Sequence, residues 1–378
     1  MRVLTFLHSF EPGGVERVAL RLVRSWREMG VDAPLLMGRE DGALREEFAQ
    51  KLAYGVPVQP RIGTASWETL WMILRLPGVI RRTRPDVLFV AGSTYTVVAV
   101  AIRLLLGRRC PPIVVKISND VARRDLPAIA RAGWRLWLLV QSRFARTWII
   151  MDDAIAVDLP AAMAKRARVV HDPAIEMAQI LSSSGGRSAR ARRFVAIGRL
   201  VAQKDYALMI RAFARAAQGD ETLTIFGDGA ERAALVALVD SLGLSHRIAF
   251  AGHVPDAASR LAQFDTLLLS SRYEGVPAVL VEALAAGLSV ISTDSGAGVR
   301  SLLGGGRYGT IVPRNELALA AAIACPPADG CIDQDSLRAH LIRFTIERSA
   351  LTYLVEFSRA AGVQVDESAL KSSIEEFA

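Results

Sequence analysis

Short apolar runs alternate with longer segments of helical periodicity along the first half of the chain. The apolar runs predict strands and the periodic segments predict amphipathic helices. We predict strands at residues 2–7, 32–37, 87–90, 113–117, 147–151 and 168–171, and helices at 15–29, 43–51, 67–82, 94–106, 127–146 and 154–163. Strands that alternate with helices are typical of a parallel sheet covered on both faces.

The same alternation restarts after residues 182–193, a polar, Gly/Ser-rich and basic segment that predicts a flexible loop. The predicted strands are 194–197, 222–226, 248–251, 266–269, 289–292 and 310–312, and the predicted helices are 205–217, 229–242, 257–263, 277–286, 317–323 and 346–361. We therefore expect an α/β protein of two tandem doubly wound, Rossmann-like domains that face each other across a ligand cleft. The expected domains are 1–171 and 172–345, followed by a helical segment, 346–378, that packs back on the first domain.

Composition agrees with two folded domains and favours a cytoplasmic protein. The chain has 378 residues, of which 51% are hydrophobic, so a large core can form. The three cysteines lack metal-ligand spacing; Cys325 and Cys331 could pair, but a reduced chain is the simpler interpretation. The first residues resemble a buried strand more than a signal peptide, and no apolar run is long enough to predict a membrane span.

Positive charge is concentrated in the first half of the chain. Residues 1–171 contain 26 Lys and Arg against 15 Asp and Glu, a charge of +11, and the remaining 20 against 23 give −3, which together make the net +8. This excess indicates an anionic partner. The basic residues are interleaved with Trp and Leu in segments 67–84 and 127–146, which favours an anionic membrane surface or a phosphorylated substrate over nucleic acid. The alternative is that both helices pack on the core and only their arginines are solvated.

Candidate binding residues follow the predicted strands. Gly13 and Gly14 stand between the first strand and its helix, where a backbone can approach an anion closely, although an ordinary tight turn has the same pattern. Gly198, Arg199 and Lys204 follow the strand at 194–197, and a guanidinium with an ammonium at a strand end suits a diphosphate. We interpret the Gly227-Asp228-Gly229 turn as structural.

The strongest pattern lies at residues 270–287. Glu274 precedes Gly275, Val276 and Pro277, and we predict a helix that begins at Pro277, because proline suits the first helical position. The free N–H groups of that turn can bind phosphate or sugar oxygens. Glu282 lies further along the helix, so the two carboxylates can bind hydroxyl groups at opposite ends of one ligand.

Together these clusters resemble the family 4 glycosyltransferases, or glycosyltransferase group 1, which have the GT-B fold. The resemblance covers nearly the whole chain and is strongest over residues 195–312. It rests on the segments GGVERV, GRLVAQKDY, GDGAERAAL, LGLSHRIAFAGHV and SRYEGVPAVLVEALAAG, of which the last is similar to the E-x7-E motif of the family.

The resemblance implies a retaining, metal-independent transfer of a hexose-type sugar from a nucleoside-diphosphate sugar, UDP rather than GDP, with no cofactor. The implied catalytic residues are Glu274, at the donor sugar, and Arg199 and Lys204, at the diphosphate. Stabilising the leaving group would be the main catalytic task, because the departing phosphate accepts the proton of the acceptor. The implied donor-binding residues are Gly13, Gly14, Gly198, His253, Val254, Gly275, Val276, Pro277 and Glu282.

The acceptor side departs from the family pattern. Many members carry a histidine after the strand at 113–117, where this chain has Ser118, Asn119 and Asp120. These three residues and Glu16 are the candidates for contacting the acceptor or acting as a base. We interpret His171, at the expected domain crossover, as structural. The expected acceptor is a saccharide or a lipid-linked sugar in cell-surface polysaccharide or glycolipid assembly, with peripheral contact to the inner face of the cytoplasmic membrane and no nucleic-acid partner.

Two further interpretations concern metals and competing functions. Asp333-Gln334-Asp335 matches a D-x-D metal motif but falls in a predicted loop, and Asp152-Asp153 suits a helix cap, so we expect no metal site.

A nucleotide-sugar 2-epimerase of the same fold and a non-catalytic nucleotide-sugar-binding protein remain alternatives to a transferase.

Overall fold

The computed structural model describes residues 1–11, 13–117, 121, 123, 126–181, 193–216, 219–254, 257–325 and 332–363. The strands are β1 Val3–Leu7, β2 Leu35–Met37, β3 Val87–Val90, β4 Ile113–Lys116, β5 Thr147–Ile150, β6 Ala167–Val169, β7 Arg193–Ile197, β8 Thr222–Phe226, β9 Ile248–Gly252, β10 Thr266–Leu269, β11 Ser289–Thr293 and β12 Thr310–Val312. The α-helices are α1 Gly14–Glu28, α2 Leu44–Phe48, α3 Glu68–Thr83, α4 Thr96–Leu106, α5 Ala128–Gln141, α6 Ala161–Ala164, α7 Met177–Leu181, α8 Tyr206–Ala216, α9 Arg232–Ser241, α10 Ala278–Ala285, α11 Ala297–Leu302, α12 Glu316–Ala324, α13 Gln334–Ile342 and α14 Ile346–Ala361.

The chain forms two compact units, Met1–Pro173 together with Thr345–Ala378, and Ala174–Phe344. Each unit contains a six-stranded sheet in which every described pairing is parallel. The strand order is β2-β1-β3-β4-β5-β6 in the first unit and β12-β11-β10-β7-β8-β9 in the second. Both orders are those of doubly wound sheets with helices on both faces.

The central strands of the first unit are continuous apolar runs because both faces of the sheet are covered. All residues of β1, β3 and β4 are buried, Lys116 among them. The C-terminal helix α14 belongs to this core: Trp26 Nε1 donates to Ala350 O over 3.1 Å, and the Trp26 ring lies 5.1 Å from that of Phe357. The apolar face of α14 thus completes one helical layer of the first unit.

Several predicted elements differ from the structure at their ends or in type. The strand expected at 32–37 is only Leu35–Met37, and the helix expected at 127–146 ends at Gln141. The helix expected at 154–163 is a 3₁₀ turn, Asp153–Asp158, followed by α6, and the one at 257–263 is also 3₁₀. Helices α7, α11 and α13 were not predicted. Tight and regular helical turns share nearly the same apolar spacing, so sequence periodicity distinguishes them poorly.

Two predicted loops also contain regular structure. Residues 182–192 of the predicted flexible loop lie outside the described residues, but Arg193 is the first residue of β7, and its N–H donates to Asp265 Oδ2 over 2.8 Å. The segment Asp333-Gln334-Asp335, predicted as a loop, begins α13 with Asp333 at the N-cap position. Its carboxylates therefore lie at a helix N-terminus, where negative charge is favourable.

Candidate active site

The sheet of the second unit reverses its strand order between β7 and β10, which are paired although two strands separate them in sequence. The chain continues from β7 towards one edge of the sheet and from β10 towards the other. In sheets of this type, the crevice at the carboxyl edge where the strand order reverses is the usual ligand site. The loops that follow β7 and β10, residues 198–205 and 270–277, carry all three predicted catalytic residues and four of the nine predicted donor-binding residues.

Hydrogen bonds hold the two loops against each other. The buried Ser270 hydroxyl donates to the carbonyl oxygens of Lys204, at 2.8 Å, and Asp205, at 3.0 Å. The Arg272 N–H donates to Gln203 O over 2.8 Å, and Gln203 Nε2 donates to the Tyr273 carbonyl over 3.0 Å. The backbone that carries Lys204 is thus fixed relative to the backbone that carries Glu274.

Lys204 and Glu274 form an ion pair in this crevice. Lys204 Nζ lies 2.6 Å from Glu274 Oε1, and the two side chains are only 16% and 10% exposed. At this burial the mutual attraction is stronger than at a protein surface, and loss of either partner leaves the other charge poorly solvated. The predicted catalytic lysine and glutamate therefore lie together, although 70 positions separate them in sequence.

Near this ion pair, backbone segments pack so closely against one another that two positions have room only for glycine. Gly227 has φ +141°, and a Cβ there would lie 1.9 Å from Gly198 O. A Cβ on Gly298, in α11, would lie 2.0 Å from Gly275 O. Glu274 N–H in turn donates to Ser295 O over 2.8 Å, so the loop after β11 supports the predicted sugar-binding loop.

Helix α10 begins one residue later than predicted. Pro277 has φ −74° and ψ 112°, which is extended, and it occupies the N-cap position rather than the first helical position. Its missing N–H still costs nothing there, because the first turn has no intrahelical acceptor for that group. Gly275 and Val276 precede it and are half-buried, and Glu282 lies half-buried within the helix.

Arg199, His253 and Val254 also lie at this edge of the sheet. Arg199 follows β7 and is exposed, and His253 and Val254 follow the edge strand β9. Within the described ranges, no hydrogen bond or ion pair links Arg199 or His253 to Lys204 or Glu274. Their exposed positions leave them accessible to a ligand at this edge.

The first unit has its own reversal of strand order, between β1 and β3, and a polar cluster lies there. Gly13 is the N-cap residue of α1, and Gly14 and Glu16 lie in its first turn. The Tyr95 hydroxyl, after β3, donates to Glu16 Oε1 over 2.6 Å. A Cβ on Gly13 would lie 2.0 Å from Glu16 Oε2, so glycine leaves room for the glutamate to reach Tyr95.

A histidine that the sequence patterns did not single out belongs to this cluster. His8 directly follows β1, its Nδ1 lies 3.3 Å from Glu68 Oε1, and its ring lies 4.7 Å from that of Tyr95. Arg39 Nη2 donates to Glu68 Oε2 over 3.0 Å. Burial lowers the pKa of His8 to about 4, with Glu16 raising it and Arg39 lowering it, so the ring is neutral at pH 7. Burial raises the pKa of Glu68.

The remaining acceptor-side candidates have different placements. Ser118, Asn119 and Asp120 lie outside the described residues. Lys116, just before them, is buried and its Nζ lies 2.8 Å from Asp172 Oδ2. The neighbouring His171 has Nδ1 3.0 Å from Met151 O, and its carbonyl accepts a hydrogen bond from Ser349. These contacts make His171 part of the packing of the first unit, as interpreted from its position.

The described residues contain neither a metal-binding cluster nor a membrane-spanning helix. Across those ranges, no group of three or more His, Cys, Asp or Glu side chains is arranged to hold a metal ion. In the same part of the chain, no helix is both long enough and apolar enough to cross a bilayer.

Two family profiles match the chain, one in each half. The profile described as "Glycosyltransferase Family 4" matches residues 12–171, and the one described as "Glycosyl transferases group 1" matches residues 191–325. The two matches contain Gly13, Gly14 and Glu16 on one side and Lys204, Glu274 and Glu282 on the other.

Curated relatives and solved structures extend over nearly the whole chain. The lipopolysaccharide core biosynthesis glycosyltransferase LpsE of Rhizobium meliloti is 28% identical over 95% of this chain and 96% of its own length. A GDP-mannose-dependent alpha-mannosyltransferase of Mycobacterium tuberculosis is 27% identical over 84% of this chain and 85% of its own length. The structure of Anabaena HepE in complex with UDP-glucose superposes on this protein with a TM-score of 0.71 and 19% identity. The match includes 96% of this chain and 98% of the HepE chain. This last likeness indicates the same fold.

Proposed function

Since the chain belongs to the family 4, or group 1, glycosyltransferases of the GT-B fold, we propose that it transfers a hexose-type sugar from a UDP-sugar to a saccharide or lipid-linked acceptor. We further propose that the transfer retains the anomeric configuration, needs no metal and serves cell-surface polysaccharide or glycolipid assembly. The lipopolysaccharide role in the name of the Rhizobium relative supports the last point. The UDP-glucose bound by the Anabaena structure supports a uridine donor.

The observation that carries the proposal is the Lys204–Glu274 pair in the crevice between β7 and β10. We assign Lys204, together with the exposed Arg199, to the donor diphosphate, where they neutralise charge that grows as the nucleotide leaves. Glu274 accepts hydrogen bonds from hydroxyl groups of the donor sugar, and Glu282 from those of the ribose. The N–H groups at the start of α10 contribute further donors for the phosphate oxygens.

In this mechanism the acceptor hydroxyl attacks the donor sugar from the same face that the phosphate leaves, and the leaving phosphate accepts the proton of that hydroxyl. A strong protein base is then unnecessary, and electrostatic stabilisation by Arg199 and Lys204 supplies much of the acceleration. Loss of one preorganised donor to a developing oxyanion lowers turnover by roughly 100–1,000-fold in comparable sites. The same two cations supply the positive charge that a metal would otherwise bring to the diphosphate.

A donor screen by thermal shift tests the assignment. A ligand at about 100 times its dissociation constant stabilises its protein by about 2.7 kcal/mol. We expect UDP and a UDP-hexose to stabilise the protein, and Lys204→Ala to remove most of that effect. Stabilisation by GDP alone would reject the uridine assignment, and no response to any nucleotide would reject the donor site.

Product analysis tests the reaction itself. We expect NMR spectra of the product to show the anomeric configuration of the donor, with turnover unchanged by a chelator. Release of UDP with inversion at C2 of the sugar and no transfer would identify an epimerase. Donor binding without turnover over a broad acceptor panel would identify a non-catalytic binding protein.

We place the acceptor side at the polar cluster of the first unit. Glu16, held by Tyr95, offers a carboxylate for acceptor hydroxyls. His8 stays neutral at physiological pH, so it can donate or accept a hydrogen bond without adding charge. Because the expected histidine after β4 is absent, His8 and Glu16 become the leading acceptor-side candidates, with Ser118, Asn119 and Asp120 still untested.

We also propose that the first unit contacts an anionic membrane surface through α5. Only Leu138 and Gln141 of this helix are buried, whereas Ile129, Leu136 and Leu139 are 90%, 63% and 50% exposed. Exposed arginines on and just after the helix add positive charge. The other candidate helix, α3, buries Trp71, Met72, Leu76 and Ile80, and therefore fits the core-packed alternative. An apolar helix face rimmed by arginines is typical of interfacial binding.

Vesicle sedimentation tests this contact. We expect binding to anionic vesicles at low salt, weaker binding at high salt, and little binding to zwitterionic vesicles. The double variant Ile129→Ser, Leu136→Ser should lose at least about tenfold in affinity, because burial of one such side chain contributes about 1.5–3 kcal/mol. Leu242→Ser, an exposed leucine of the second unit, is the matched control. Failure to bind anionic vesicles at low salt would reject the proposal.

A further inference from the structure

A basic cavity lies at the opposite edge of the first sheet from the polar cluster of Glu16 and Tyr95. It has a volume of about 310 Å³ and is lined by Arg146, Thr147, Arg166, Arg168, Glu356, Arg359 and Ala360. Arg146 and Arg166 immediately precede β5 and β6, and the strands are parallel, so the cavity lies where strands begin. The acceptor-side candidates follow the ends of β1 and β3. The cavity is therefore separate from the proposed reaction.

Positive charge dominates this cavity. Four guanidinium groups face one carboxylate, a formal excess of three positive charges. Glu356 is buried and is engaged on both sides: Arg359 Nη1 donates to its Oε1 over 2.7 Å, and Arg168 Nε lies 3.8 Å from its Oε2. The carbonyl end of α14 adds about half a negative charge nearby. Even with that contribution, two or more positive charges stay uncompensated by the lining residues.

The arginines are held in different ways. Arg166 supports the chain by donating to the carbonyl oxygens of Ala162, Ala145 and Ser142, at 3.2, 2.9 and 2.5 Å. A guanidinium has five N–H groups, so Arg166 still has donor capacity after these contacts. Arg146 and Arg168 are exposed side chains beside it. One arginine fixed by backbone contacts and two exposed arginines around one cavity form an arrangement that suits a tetrahedral anion.

We propose that this cavity binds a phosphate group, as a phosphate monoester or a comparable phosphorylated ligand, at a site distinct from the donor diphosphate site. A guanidinium group donates two parallel hydrogen bonds to phosphate oxygens, and the site offers several such groups. The one carboxylate among the described lining residues, Glu356, is engaged by Arg168 and Arg359. Its volume is at the lower end of the range for small-ligand pockets, roughly 300–1,000 Å³. The phosphate can belong to a soluble metabolite or to the headgroup of an anionic lipid.

Binding measurements on the full chain test the site with two probes. The first is inorganic phosphate, measured by calorimetry against chloride at matched ionic strength. The second is a vesicle that contains phosphatidic acid, measured against a phosphatidylcholine vesicle. Both are measured in a Lys204→Ala background, so that phosphate bound at the proposed donor site does not contribute. This background also separates failure of the donor site from failure of the present proposal.

The variants are Arg146→Gln and Arg168→Gln, whose side chains are exposed, and Arg166 is left intact because it supports the backbone. Arg108→Gln, an exposed arginine of the first unit outside both the cavity lining and α5, is the matched control. We expect each cavity variant to weaken phosphate binding about tenfold, or about 1.4 kcal/mol, and the control to bind as the background does. Unchanged thermal unfolding would show that each variant is folded.

The two probes then identify the source of the phosphate. Arginine-dependent binding of free phosphate alone supports a soluble ligand, and arginine-dependent binding of phosphatidic acid vesicles alone supports a lipid headgroup. Binding of both supports the site for either source. No binding of either probe, or equal losses in the cavity variants and in Arg108→Gln, would overturn the proposal.

Discussion

Removal of either partner of the Lys204–Glu274 pair should abolish turnover while leaving the protein folded. The two charged atoms are 2.6 Å apart and the side chains are 16% and 10% exposed. At an effective dielectric constant of about 20, their attraction is roughly 6 kcal/mol before desolvation. Desolvation and side-chain ordering offset most of this, so we expect a net coupling of about 1–3 kcal/mol.

A double-mutant cycle measures that coupling. Lys204→Ala and Glu274→Ala should each lower the free energy of unfolding by about 1–3 kcal/mol, and the double variant should lose less than the sum, because neither charge is then left alone. Both single variants should lower turnover by at least about 100-fold, since each removes a group that we assign to the reacting diphosphate or sugar. Urea unfolding and a donor-consumption assay supply the two measurements.

The control is a second ion pair of the same unit that lies outside the crevice. Arg215 Nε lies 3.0 Å from Glu316 Oε1, but their side chains are 57% and 32% exposed. Arg215→Ala should change stability by less than about 1 kcal/mol and leave turnover unchanged. Near-normal turnover in both Lys204→Ala and Glu274→Ala would refute the site assignment. Additive stability losses would refute the coupling inferred from the distance.

Three further predictions concern the surroundings of the two sites. The folded-state pKa of His8 is about 4, below the ordinary value of 6.5, so protonation favours the unfolded chain. The free energy of unfolding should therefore fall by about 2 kcal/mol between pH 7 and pH 5. In urea unfolding, the His8→Gln variant should not show this loss. Gly298→Ala should destabilise the protein by about 1–3 kcal/mol and weaken UDP binding in calorimetry, because the added Cβ would meet Gly275 O at 2.0 Å. Tyr95→Phe removes the hydrogen bond to Glu16 and should raise the KM for the acceptor while the KM for the donor is unchanged, as measured by steady-state kinetics.

The fold was predictable to the extent that its strands are buried on both faces. Such strands appear in the sequence as contiguous apolar runs, and the buried strands β3 and β10 were predicted with the bounds that the structure has. Helix ends were less predictable, because they depend on tertiary contacts. Helix α5 ends at Gln141 although its apolar pattern continues, because the Arg146 N–H, which a longer helix would pair with the Ser142 carbonyl, donates instead to Ile113 O of β4 over 2.8 Å.

For the candidate sites, the sequence predicts which residues follow strands, but it does not predict which of those residues contact one another. The positions of Arg199, Lys204 and Glu274 after strands were predictable because each follows an apolar run, and strand ends are where such sheets bind ligands. Their roles stay predictions. That Lys204 contacts Glu274 depends on β7 lying beside β10, and strand order is not encoded in local periodicity. His8 also follows a strand, β1. It becomes a candidate only because it lies beside Glu68 and Tyr95, two residues that are distant in sequence and that the folded sheet places next to it.

The arginine cavity is the extreme case of this dependence. Its residues come from the starts of β5 and β6 and from α14, so more than two hundred positions separate Arg146 from Ala360 in sequence. In the sequence Arg146, Arg166 and Arg168 contribute only to the net charge of the first half, for which the proposed interfacial helix α5 accounts equally well, and Arg359 lies in the second half. Folding separates the two contributions: the arginines of α5 accompany exposed apolar side chains, whereas those of the cavity surround a buried carboxylate. One arrangement suits a surface and the other suits a single phosphate, so under the two proposals the basic charge of this half serves two different anions.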